Sequence, residues 1–107
     1  MRLALCVAVV FCAALVAQRA AGQGGELDRA LIEAGAAVYQ EKCAECHGER
    51  LLNTGAAYDL RKLHADERPR FDNSVTNGKG QMPAWGGILA PEQFDQLWAY
   101  IRSKAED

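Results

Sequence analysis

The stretch Cys43-Ala44-Glu45-Cys46-His47-Gly48 decides how the rest of this chain is read. Two thiols three residues apart share one face of a helical turn, and an imidazole follows the second at once. That spacing lets both sulfurs bond to the two vinyl groups on one edge of a porphyrin and carries His47 under the iron as proximal ligand. Cys-x-x-Cys-His is the attachment pattern of c-type haem. One such motif predicts one covalent haem, bound through Cys43 and Cys46 with His47 on the metal. Other uses of these residues need partners that are scarce here. A thioredoxin-like pair requires strands around the cysteines, and the flanking segments read as helices. Structural zinc requires four ligands, and beyond the N-terminal stretch the chain has only Cys43, Cys46, His47 and His64, with His47 pinned beside Cys46.

Working outward, residues 1–22 read as a cleaved secretory signal peptide. Arg2 forms a short positive region, Leu3 to Ala17 is apolar throughout, and Ala20-Ala21-Gly22 supplies small residues for a cut before Gln23. The alternative is an uncleaved anchor, but those fifteen apolar residues end at Gln18 and Arg19, short of the roughly 20 that span a bilayer. Cys6 and Cys12 lie inside the segment and leave with it, so no disulfide is expected in the exported, oxidising compartment. The remaining residues, 23–107, are enough for one small domain. Loss of Arg2 and Arg19 takes Lys and Arg from 12 to 10 against 14 Asp and Glu, a formal charge of −4. So acidic a domain is a poor ligand for nucleic acid, which is bound by neutralising phosphates. A domain of this size also gains from a covalent, largely buried cofactor that acts as a staple.

Helical periodicity begins after Gly25. Leu27, Leu31, Ala34/Gly35 and Val38/Tyr39 recur every three to four residues up to the haem motif. Gly35 lies mid-helix, where glycine costs about 1 kcal/mol relative to alanine; it suits the close approach of another helix. That partner is predicted near the C-terminus, where Pro91 opens a helix and Phe94, Leu97, Trp98 and Ile101 form an apolar face flanked by Tyr100. Between the two, Asp59 to Leu63 predicts a short helical turn. Asp66 can cap a further helix with Pro69 in its first turn, Phe71 and Val75 inward and Gly78 at its end. No strand is predicted.

A second axial ligand is expected from Met82. It is the only methionine besides Met1 and stands 35 residues after His47 on a glycine-containing loop, Gly78-Lys79-Gly80-Gln81, stiffened by Pro83 and shielded by Trp85. Methionine also fills core gaps, and His64 is the alternative ligand, although its charged neighbours Arg61, Lys62, Asp66 and Glu67 suit a solvated surface.

Over about residues 32–104 the chain resembles the monohaem class I cytochromes c of bacterial type. Gly35-Ala36-Ala37-Val38-Tyr39 resembles their N-terminal helix signature, Cys43 to Gly48 their haem motif, Met82-Pro83 their distal loop and Leu97-Trp98-Ala99-Tyr100 their C-terminal helix. The resemblance implies an all-α class I cytochrome c fold, with N- and C-terminal helices crossing around one covalent haem. Gly35 would lie at the crossing, with Tyr39, Leu97 and Tyr100 packed around it. It implies Tyr58, Arg61 and Trp85 as further cofactor neighbours, with an ordinary surface charge as the alternative for Arg61. One departure stands out. The family places a Gly-Pro-like segment after the motif, whose carbonyl accepts a hydrogen bond from the proximal imidazole; Glu49 to Gly55 contains no proline, so the acceptor for His47 stays open. The run from Asp59-Leu60-Arg61 through Asn77-Gly78-Lys79-Gly80 to Trp85 is most similar to cytochromes that serve periplasmic quinoprotein dehydrogenases.

The expected role is a monomeric periplasmic one-electron carrier, not an enzyme, since Ser74, Ser103 and His64 have no evident catalytic partners. Its expected donor is a quinoprotein dehydrogenase and its acceptor another cytochrome or an oxidase, with no lasting membrane insertion after cleavage. Two alternatives remain: a shuttle from a quinol-oxidising complex to a terminal oxidase, and a gas sensor in which Met82 detaches. The four-helix ligand-binding cytochromes carry the motif near the C-terminus, whereas 60 residues follow His47 here.

Overall fold

The computed structural model describes residues 25–106. The predicted signal segment, its expected cleavage point and Cys6 and Cys12 lie outside the described residues. Among the described residues four α-helices carry the fold: α1 over residues 25–42, α2 Ala44–His47, α3 Arg68–Asn77 and α4 Pro91–Ser103. Single 3-10 turns at Glu49–Leu51, Leu60–Lys62 and Ala65–Glu67 join them. Among the described residues there is no strand, only an isolated antiparallel bridge between Lys79 and Met82.

α1 and α4 meet at Gly35. A Cβ on Gly35 would stand 1.9 Å from the Gln96 carbonyl oxygen and 2.9 Å from Tyr100 Cβ, so the backbone of α4 occupies the space a side chain would need. Tyr39, one turn on, packs against Tyr100 with ring centroids 5.4 Å apart and planes tilted by 53°. Tyr39, Leu51, Leu97 and Ile101 are the most deeply buried large side chains. Burial of this kind is the main stabilising term, at about 1.5–3 kcal/mol for a Leu or Ile side chain.

The inward stripe of α1 starts later than its periodicity predicts. Leu27 is 67% exposed and Leu31 sits at the solvent boundary, while Ile32, Ala36 and Tyr39 join the core. The reason is the crossing point: α4 reaches α1 at Gly35, so among the described residues the turns before it have no partner to bury against.

α3 begins at Arg68, two residues after the predicted cap, because Ala65–Glu67 winds as a 3-10 turn. The Glu67 carboxylate accepts from the His64 backbone N–H at 2.8 Å there. Pro69 lies in the first turn of α3, Phe71 and Val75 are buried, and Gly78 ends the helix with φ 75°. Phe71 meets Trp98 of α4 at 5.3 Å, and Arg68 bonds Asp72 within α3 at 2.7 Å and reaches across to Asp95 of α4 at 2.8 Å. α4 opens on Pro91, whose missing N–H costs nothing in a first turn, and Gln93 Oε1 accepts from the Ala90 N–H at 2.8 Å.

Candidate haem site

α1 delivers the motif. The chain turns at Cys43, whose N–H donates to Tyr39 O at 2.8 Å, and α2 carries Cys46 and His47 onward within one turn. Gly48 stops the helix with φ 90°; a Cβ there would lie 1.9 Å from Leu52 O. The Tyr39 hydroxyl donates to Gly48 O at 2.6 Å, tying the end of the motif to the helix that precedes it. A buried phenol needs such an acceptor, and burial pushes the Tyr39 hydroxyl pKa up to about 12. Arg50 and Leu51 follow with φ 53° and 63°, a left-handed excursion that turns Leu51 fully inward.

Of the motif cysteines, Cys43 is half-buried and Cys46 exposed. Burial, then the neighbouring Cys46, raises the Cys43 thiol to about 11. His47 is half-buried, and its Nδ1 lies 3.1 Å from the backbone oxygen of Tyr58. A carbonyl can only accept, so Nδ1 carries the proton and Nε2 keeps a lone pair for a metal. The acceptor left open by the missing proline is therefore the Tyr58 carbonyl, eleven residues downstream. A backbone acceptor needs no particular side chain, and nothing in the sequence marks it.

Met82 is positioned by its loop. Lys79 and Met82 exchange backbone bonds at 3.1 and 3.0 Å around Gly80, which has φ 59°. The loop is tied to α3 by Trp85 N–H to Val75 O at 2.7 Å and Gly86 N–H to Thr76 O at 3.2 Å. Gly78 makes room: a Cβ there would stand 2.6 Å from Met82 O and 3.0 Å from Ala84 N. Met82, Trp85 and Cys43 all pack against the core while remaining partly exposed. The Lys42 ammonium lies 5.9 Å from the centre of the Trp85 ring, so the loop adjoins the end of α1.

Tyr58 is exposed, its ring stacked with the Arg70 guanidinium at 4.7 Å. Arg61 pairs with Asp59 at 3.2 Å and Glu106 at 3.0 Å; its hydrogen bonds hold the Asp59 carboxyl below the usual carboxylate range. His64 is exposed at the start of the Ala65–Glu67 turn.

These residues fit a c-type haem. Two thiols and an imidazole with a free Nε2 share one turn, and a thioether sulfur stands on a tethered loop. Ile32, Val38, Leu60, Met82, Trp85, Phe94 and Trp98 are apolar and only partly buried, leaving surface for a flat, largely apolar macrocycle to cover. Among the described residues no group of three or more His, Cys, Asp and Glu converges as a metal cluster, and no helix is long and apolar enough to cross a membrane.

Residues 30–101 match the family described as cytochrome c oxidase, cbb3-type, subunit III. The chain is 37% identical over 78 residues to cytochrome c6 of Rippkaea orientalis, covering 68% of this chain and 70% of that protein. It is 34% identical to cytochrome c6 of Microcystis aeruginosa, covering 67% of this chain and 95% of that one. Quinohemoprotein alcohol dehydrogenase ADH-IIG of Pseudomonas putida is 37% identical over 82 residues, which are 75% of this chain and only 11% of that enzyme. The solved structure of ADH-IIG superposes with a TM-score of 0.67 at 36% identity, over 73% of this chain and 12% of that one. The family's cofactor is a covalent c-type haem, and Cys43, Cys46 and His47 stand in its attachment pattern. The chain belongs to the class I cytochromes c, as a monohaem electron-transfer protein.

Proposed function

We propose that this cytochrome is a one-electron carrier with His47 and Met82 as axial ligands, Cys43 and Cys46 as the thioether attachments, and a quinoprotein dehydrogenase of the alcohol-oxidising type as donor. The observation that carries the histidine ligation is the hydrogen bond from His47 Nδ1 to the Tyr58 carbonyl, which leaves Nε2 with a lone pair for a metal. Bound there, the haem supplies a one-electron Fe(III)/Fe(II) couple. His47 and Met82 would hold the iron, and a thioether ligand would favour its reduced state. Gly78 and the Lys79–Met82 bridge hold the sulfur's loop in place. Trp85 screens the site from water. Tyr58 and Trp85 act as cofactor neighbours, and Arg61 would meet a propionate only in competition with Asp59 and Glu106. After removal of residues 1–22 the carrier works in the periplasm as a monomer and passes its electron to another cytochrome or an oxidase.

The donor assignment is supported by the likeness to the dehydrogenase segment. The free-standing cytochromes c6, matched over most of their length, favour a second reading, a shuttle between a quinol-oxidising complex and an oxidase. Stopped-flow reduction separates the two: rapid reduction by a purified quinoprotein alcohol dehydrogenase supports the first. Reduction by the quinol-oxidising complex alone refutes it. Ligation is tested by Met82→Ala, which should abolish the sulfur-to-iron absorption, lower the potential and admit carbon monoxide. A spectrum unchanged from wild type would remove Met82 from the metal and make His64 the next residue to test.

A further inference from the structure

We propose that the C-terminal tail is a clamp on the proximal imidazole, with Glu106 and Arg102 as positioning residues that hold the Tyr58 carbonyl against His47 Nδ1. The inference rests on His47 being the proximal ligand. The Tyr58 carbonyl has little local support of its own. Residues 52–56, which lead to it, are all exposed, and Gly55 has φ 89°. Arg70 of α3 holds the exposed Tyr58 ring, and the Tyr58 carbonyl is joined directly to the backbone of Asp59 that follows.

That backbone is held from the far end of the chain. Arg102 Nη1 donates to Leu63 O at 2.6 Å, across 39 residues of sequence. The Glu106 N–H donates to Arg61 O at 2.8 Å, and the Glu106 carboxylate pairs with Arg61 Nη1 at 3.0 Å. Arg61 in turn grips Asp59, the residue next to Tyr58, through Nε and Nη2, each at 3.2 Å. The Arg61 N–H adds a bond to Asp59 Oδ1 at 3.1 Å.

The tail is itself fixed. It leaves α4 just after Leu97, Tyr100 and Ile101, which are buried where α4 crosses α1, and α1 leads directly to His47. Both ends of the His47–Tyr58 hydrogen bond are thus referred to the same helix crossing, one through α1 and α2, the other through α4, Arg102, Glu106 and Arg61. Outer hydrogen bonds of this type set the orientation and basicity of a metal-bound imidazole. A firmly held acceptor makes His47 a stronger donor and favours the oxidised metal; a loosened one favours the reduced metal.

The test uses the haem-loaded protein and the variants Glu106→Ala, Arg102→Met and the two together, with Arg102→Lys as the conservative control. Both positions lie at the surface or its margin, so covalent haem content and helicity should match wild type. The double variant should raise the reduced-to-oxidised ratio at fixed poise by roughly two- to tenfold, the span expected for weakening one hydrogen bond. Solvent exchange of the His47 Nδ1 proton, followed by NMR, should quicken in parallel. Arg102→Lys, which keeps a donor, should recover part of both effects. Wild-type potential and wild-type proton exchange in the double variant would overturn the clamp. A wild-type spectrum without imidazole on the metal would overturn the proximal assignment itself, and the clamp's role with it.

Discussion

Replacing Gly35 by alanine sets two opposed effects against each other in a way the structure can decide. Helix propensity favours the substitution by about 1 kcal/mol. Packing opposes it, because the new methyl would lie 1.9 Å from Gln96 O and 2.5 Å from Gln96 C, where ordinary contact begins at 3.4 Å. The obstacle is backbone, so no rotamer change relieves it, and α4 must withdraw by about 1.5 Å. A radial gap of even 0.5–1 Å forfeits a quarter to a half of the dispersion attraction across a contact. The surfaces that would separate include Tyr39, Leu97, Tyr100 and Ile101, all buried. Overpacking typically costs about 1–3 kcal/mol, and the rigidity of the obstacle puts Gly35→Ala at the upper end, a net loss of about 2 kcal/mol after propensity is credited. In a domain of this size that lowers Tm by about 10 °C or more. Thermal unfolding of the haem-loaded protein, followed by far-ultraviolet circular dichroism, measures it directly. A variant as stable as wild type, or more stable, would refute a backbone-to-backbone crossing at Gly35. Gly35→Leu, which adds more volume at the same point, should be worse still.

Gly78→Ala meets both a positive φ of 75° and the Met82 carbonyl at 2.6 Å, so it should disturb the distal loop first. Weakened sulfur ligation is the expected result, seen as carbon monoxide binding to the reduced protein, and a variant that still excludes the gas would contradict this placement. The raised pKa of Tyr39, due first to its burial, predicts an alkaline weakness. Between pH about 10, where an unfolded tyrosine ionises, and about 12, the unfolded chain releases a proton the folded chain keeps, so stability is whole below that range and falls as pH rises through it. Denaturant titrations across this interval should show the slope in wild type and lose it in Tyr39→Phe, which should be less stable at neutral pH by about 1 kcal/mol for the lost bond to Gly48; the same pH slope in both proteins would assign the effect elsewhere. Arg68→Met removes the ties to Asp72 and Asp95, both partly exposed, and should cost no more than about 1 kcal/mol by chemical denaturation, a larger loss marking these pairs as essential to the α3–α4 contact.

Much of this protein was determined by local sequence, because its chemistry depends on local spacing. Two thiols and an imidazole within five residues lie on one turn whatever the rest of the chain does, and the amphipathic pattern of Phe94, Leu97, Trp98 and Ile101 could bury only one face. A glycine inside a helix costs stability, so Gly35 pointed to a close approach, and α4 occupies the space beside it. What the sequence could not carry was anything resting on backbone atoms brought together from afar. The acceptor for His47 is a carbonyl, identical in every residue type, and only the folded path of residues 52–58 brings the one from Tyr58 into reach. Likewise the burial of α1 depends on where α4 crosses it, which leaves Leu27 outside despite its place in the periodic pattern. Arg61, which the sequence leaves between a cofactor neighbour and an ordinary surface charge, meets Glu106 only because α4 returns the tail to the segment that follows Tyr58. Spacing along the chain fixes which groups share a turn; closure of the tertiary fold alone fixes the distances between turns, and with them the hydrogen bond between His47 and the Tyr58 carbonyl.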